Sequence, residues 1–164
     1  MANDNGELQG IGGWLAFFLI TLGVFTPLTT LLSVATLAAD PQVAANFGPT
    51  WGSLLVLEWS FVGVTAAATW VAVWQFFTVR HWRTVRLTIG VLWLLAAMAV
   101  IVEPLGVSLL MGMAIGDVFA GAPYEFIRPL IYSSIWTAYL LKSERVANTY
   151  PPFGSGNEVV EVFE

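Results

Sequence analysis

Four long apolar stretches, separated by short polar breaks, set the plan of the chain. The sharpest break is Arg80-His81-Trp82-Arg83-Thr84-Val85-Arg86, a basic knot flanked by two charge-free runs, Trp59 to Val79 and Leu87 to Val102. A helix needs about 20 apolar residues to cross about 30 Å of hydrocarbon, so runs of this kind predict membrane spans. The charge-free run from Leu8 to Ala39 would make about 48 Å of helix at 1.5 Å per residue. It must therefore tilt, kink at Pro27 or begin along the interface. The pattern predicts spans over 12–36, 51–79, 84–102 and 125–141. Asp40-Pro41 is expected to open a loop reaching Pro49. Glu103-Pro104 reads as a stop signal, a carboxylate followed by a helix breaker. The short apolar segment 105–119 then reads as an interfacial helix, with extension of the third span past Pro104 as the alternative. Residues 1–9 and 147–164 are expected to be polar tails outside a transmembrane domain covering 10–146. The expected fold is thus all-α: a polytopic membrane protein with four transmembrane helices.

Composition narrows the class. Of 164 residues, 57% are hydrophobic and 10% charged, against about 25% charged in an ordinary soluble domain. There is no cysteine, which excludes disulfides, thiolate chemistry and cysteine-based metal sites. The net charge of −5 and the absence of a basic face that could track phosphates do not suggest a nucleic-acid partner, and none is expected. The first hydrophobic run is too long for a signal peptide, and no basic region precedes it, so it is expected to be a retained span.

Charge also predicts orientation. Arg80, Arg83, Arg86, Lys142 and Arg145 are five of the six cationic residues, and four spans put them all on one side. Cytoplasmic loops retain Lys and Arg, so both termini are expected in the cytoplasm. The sixth cation, Arg128, falls on the other side with Glu58 and Glu103. Ionisable groups at membrane depth face the bundle or a wet cavity and pair with one another. These three are the candidate intramembrane ion pair, either a substrate or proton site or a structural pair whose side chains reach for the headgroups. At 100° per residue, Glu58, Thr65 and Thr69 share one face of the second span, and Arg128, Tyr132 and Tyr139 one face of the fourth. If those parallel spans lie side by side, Glu58 meets Arg128, with Glu103 as the competing partner, above Thr69 and Tyr139.

Other chemistry finds no support in the residues. His81 is the single histidine, so neither a Ser-His-Asp triad nor a histidine metal cluster can be assembled. Ala114-Ile115-Gly116-Asp117 departs from the GxGD of intramembrane aspartyl proteases at its first glycine. No glycine run is followed by the Lys-Ser/Thr of a phosphate-binding loop. No catalytic, cofactor-binding or metal-ligating residue is expected, and no cofactor. Trp70 and Trp74, one helical turn apart, read as a packing or lipid-facing stripe. Small residues at Gly63, Ala67, Ala68 and Ala72 would let another helix approach.

Gly10-Ile11-Gly12-Gly13-Trp14-Leu15 at the chain's entry, and the exit from Ile135 to Tyr150, with Tyr139, Ser143, Arg145, Val146 and Thr149 in place, resemble the bacterial inner-membrane family catalogued as domain of unknown function 2569. The resemblance covers about 8–150 and departs at Ala138, where the family usually has proline. It implies four spans in the cytoplasmic membrane and carries no established activity. The resulting expectation is a multi-pass, non-catalytic protein whose partners are the lipid bilayer and either a membrane protein or copies of itself. An accessory or scaffolding subunit is the first reading, and a small transporter or channel working as a homo-oligomer the second. Val159, Val160 and Phe163, apolar positions in the acidic tail, are the candidate contacts for a partner.

Overall fold

The computed structural model describes residues 9–121 and 123–151, which are helical throughout apart from short turns, with no strand among them. Three helical stretches are long and apolar enough to cross a membrane: Trp14–Ala39, Pro41–Thr78 and Trp82–Met111. A fourth long helix, α8 (Pro123–Lys142), has 20 residues but carries Glu125, Arg128, Pro129 and Lys142 and is correspondingly less apolar.

The first rod is α1 (Trp14–Ile20), a π-helical turn (Thr21–Phe25) and α2 (Thr26–Ala39). Gly13, at φ +55°, starts it, a conformation that disfavours any side chain. Pro27 does not break the rod. Its missing N–H leaves a carbonyl one turn back without an intrahelical donor. The π turn widens the helix there, and the indole Nε1 of Trp70 donates to the Gly23 carbonyl at 2.9 Å. The third rod repeats the device, with α5 (Trp82–Ala97), a π turn (Met98–Val102) and α6 (Glu103–Met111), which has Pro104 in its first turn. The expected stop at Glu103-Pro104 is therefore corrected. The helix runs on to Gly112, which takes the left-handed cap at φ +64°. Only Ile115–Gly121 (α7) remains of the expected separate helix over 105–119.

Asp40-Pro41 also does more than open a loop. The Asp40 carboxylate accepts from the N–H of Gln42 at 2.8 Å, and Pro41 sits in the first turn of α3 (Pro41–Phe47). These are the residues a helix start favours. After a 3₁₀ turn over Gly48–Thr50 the chain enters α4 (Trp51–Thr78).

Around the bundle, α2 packs on α4, α4 on α5 and α5 on α8. The first rod closes the square on α8 through the ring pairs Phe17–Trp136 and Phe18–Trp136. Short connections make consecutive antiparallel rods neighbours, which leaves the second and fourth rods on the diagonal. The core is gathered in the half that holds the basic loop, around Leu15, Phe18, Leu22, Phe76, Leu92, Trp136, Leu140 and Tyr150. Three interior hydroxyls donate to backbone carbonyls: Thr69 to Thr65 at 2.8 Å, Thr88 to Thr84 at 3.0 Å, and Ser133 across to Leu92 at 3.0 Å. Among the described residues no buried side-chain nitrogen or oxygen lacks a partner.

Candidate functional site

The segment that enters the first rod and the segment that follows α8 meet at the basic end of the bundle, at Gly10 and Thr149. After α8, Ser143 caps a short helix, α9 (Glu144–Thr149), which turns back across the mouth of the bundle. Residues 147–150, expected in a tail, are thus part of the packed domain. Val146 and Tyr150, four apart and on one helical face, are both fully buried. The N–H of Gly10 donates to Thr149 Oγ at 2.9 Å, and the same hydroxyl donates to the Arg145 carbonyl at 2.7 Å. The Arg145 guanidinium lies over Gly12, where a Cβ would come 2.9 Å from Nη1.

Tyr150 holds this knot to the second rod. The last carbonyls of a helix have no partner within it, and that of Phe76, in the last turn of α4, receives the Tyr150 hydroxyl at 2.6 Å. The two rings also meet edge to face, with centroids 5.0 Å apart. Burial pushes the Tyr150 phenol up to about 12, against a smaller opposing pull from Arg80. The hydroxyl therefore stays a donor. On the loop, Thr84 Oγ donates to the Val79 carbonyl at 2.9 Å, and His81 Nδ1 accepts from the N–H of Arg83 at 3.0 Å, capping α5. The residues expected to set topology, Arg80, Arg83, Arg86, Lys142 and Arg145, stand at this end, at or beyond the ends of α4, α5 and α8.

The far end holds the other expected cluster. Glu58 on α4 and Glu103 on α6 are half-buried. The charged groups that bear on Glu103 are Glu58 and Glu125, both acidic. The second rod approaches the third closely here: a Cβ on Gly106 would come 2.7 Å from the side chain of Leu57, the neighbour of Glu58. Arg128 is exposed on α8, and among the described residues no ion pair within 4 Å joins it to either carboxylate. The expected side-by-side second and fourth rods are corrected to a diagonal. Tyr132 instead reaches the first rod, its hydroxyl 3.4 Å from Thr21 Oγ, and Tyr139 packs edge-on to Trp136. No group of three or more His, Asp or Glu that could hold a metal occurs among the described residues. Val159, Val160 and Phe163 lie outside them.

Both ends of the knot are visible as patterns in the sequence, but their contact is not. The available signal was Thr149-Tyr150 in register with Val146, an apolar face continuing past the last span. Gly63 and Ala67, picked out as a packing stripe, point outward. The close approaches belong to Gly12, Gly23 and Gly106.

An all-helical bundle with three apolar rods of membrane-crossing length, closed at one end by its own entry and exit, defines a helical membrane protein. The model of the family described as a protein of unknown function, DUF2569, matches residues 8–151, and the chain belongs to that family. No curated protein and no solved structure matches the chain.

Proposed function

We propose that the protein is a four-span, non-catalytic component of the bacterial cytoplasmic membrane, with both termini in the cytoplasm, acting as an accessory or scaffolding subunit of a larger membrane complex. The fourth span in this reading is α8, whose 20 residues suffice to cross. The observation that carries the reading is the filled interior. Phe18, Phe76, Trp136 and Tyr150 pack ring against ring through the basic half of the bundle, and the Thr69 hydroxyl inside the second rod is committed to the Thr65 carbonyl rather than to a wet path. The outward faces are broad and apolar, with Trp14, Trp70 and Trp74 more than half exposed. Such faces suit lipid or a neighbouring helix.

A homo-oligomeric transporter or channel is the second reading, favoured by two half-buried carboxylates, Glu58 on the second rod and Glu103 on the third, near enough to act on each other. Purification in mild detergent separates the two. A stoichiometric foreign membrane subunit that survives gel filtration supports the accessory role. A pure homo-oligomer that passes ions or solutes across liposomes overturns it.

A further inference from the structure

A groove of about 610 Å³ runs along the outside of the bundle between the first and second rods, walled by residues including Ile11, Ile20, Val24, Trp74 and Phe77. Its walls offer a polar ligand almost nothing to bind. The polar side-chain groups in the wall are two indole N–H groups, that of Trp70, already donated to the Gly23 carbonyl, and that of Trp74. Along the first rod the groove extends from Ile11 to Val24, and its helical part from Trp14 onward covers roughly 15 Å at 1.5 Å per residue, the depth of one leaflet of about 15 Å. One end is marked by charge. Ile11 precedes Gly12, over which the half-buried Arg145 guanidinium lies. Arg80, exposed three residues beyond Phe77, is close enough to Tyr150 to act on its phenol. Among the described residues neither arginine has a carboxylate within 4 Å. A hydrocarbon slot one leaflet deep, with two guanidinium groups at its mouth that no carboxylate among the described residues pairs with, complements a molecule with an apolar chain and an anionic head.

We propose that this groove is a binding site for an anionic phospholipid, one acyl chain lying between the first and second rods and the phosphate held by Arg145 and Arg80. The site stands independently of whether the protein is an accessory subunit or a transporter. It asks only that the bundle sit in a bilayer. Guanidinium matches phosphate in charge and geometry, and a basic residue near the membrane surface is worth about a fivefold change in affinity for an anionic lipid.

Native mass spectrometry of the full chain in mild detergent tests this, with phosphatidylglycerol and phosphatidylethanolamine of identical acyl chains added in parallel. The expected result is one phosphatidylglycerol bound at concentrations where phosphatidylethanolamine is not. Replacing both arginines (Arg80→Gln with Arg145→Gln) should remove that preference. Ala16→Trp, which fills the groove from its partly exposed floor, should remove retention of the lipid altogether. Circular dichroism melting checks that each variant folds. If the double variant does not, Arg80→Gln alone, at an exposed side chain that makes none of the knot's hydrogen bonds, should weaken the preference about fivefold. Equal retention of the two lipids by the unaltered protein, or undiminished phosphatidylglycerol binding by Ala16→Trp, overturns the proposal. So does full competition by glycerophosphoglycerol, which has the head without the chains, and so does a dimer that Ala16→Trp dissociates whether or not lipid is present.

Discussion

Replacing Tyr150 by phenylalanine removes one oxygen and tests whether the knot closes the bundle. The ring would still fill its fully buried site against Phe76 and keep its edge-to-face contact. The 2.6 Å bond to the Phe76 carbonyl would be lost, and that carbonyl, at a helix end and covered by the ring, would have no replacement donor. A hydrogen bond is worth about 1 kcal/mol net, and a buried polar atom left unpaired costs about 1–3 kcal/mol. The variant should therefore lose about 2 kcal/mol, whereas Tyr150→Ala, which also empties the ring's site, should lose about 3–5 kcal/mol. Reversible unfolding in mixed micelles, titrated with a denaturing detergent, measures both. The phenol adds a signature in pH. Its folded value, about 12, lies above the ordinary value near 10. The stability it contributes is fully present below pH 10 and is lost as the pH rises from 10 through 12. Tyr150→Phe should show no such component. A stability for Tyr150→Phe within about 0.3 kcal/mol of the parent, or an alkaline loss that persists in it, would refute the reasoning.

The Trp70–Gly23 bond exists because Pro27 frees a carbonyl, so Trp70→Phe should cost about 1 kcal/mol. It should cost clearly less in a Pro27→Ala background, a coupling that a double-mutant cycle reads directly. Arg128→Gln should change stability by less than about 0.5 kcal/mol, since no carboxylate pairs with it; a loss above 2 kcal/mol would restore the ion pair to the account. Gly12→Ala should be tolerated, because the atom in the way is the movable end of Arg145, while Gly12→Leu should displace the guanidinium and lower the melting temperature. In intact cells a cysteine at Asn46 should react with an impermeant maleimide and one at Ser155 should not; reversed labelling would invert the orientation.

Much of the fold is legible in hydropathy, because three of the apolar runs are long enough that only a membrane could accommodate them. The breaks were harder to read. Pro104 and Asp40-Pro41 carry opposite meanings depending on a turn of backbone that composition does not encode. After a π turn the proline is absorbed into a helix, and after an aspartate it starts one. On the second rod Thr65 and Thr69 are buried, while on the fourth Arg128 is exposed; periodicity gives the face of a helix and not which helix it meets. Short loops decide that by making sequence neighbours spatial neighbours. The knot at the basic end escaped for a related reason. Gly10 and Thr149 are 139 positions apart, and nothing local to either stretch points to the other.

The joining of entry and exit at one end of the bundle is the claim on which the rest depends. The chain has no native cysteine, so Gln9→Cys with Asn148→Cys gives a unique pair beside the Gly10–Thr149 bond. Treated in native membranes with a short bismaleimide, the pair should link within one chain, and mass spectrometry of the digest should recover a single peptide pair spanning 9 and 148. Absence of that link, where a control pair at Trp93 and Thr137 across α5 and α8 does link, would contradict the account.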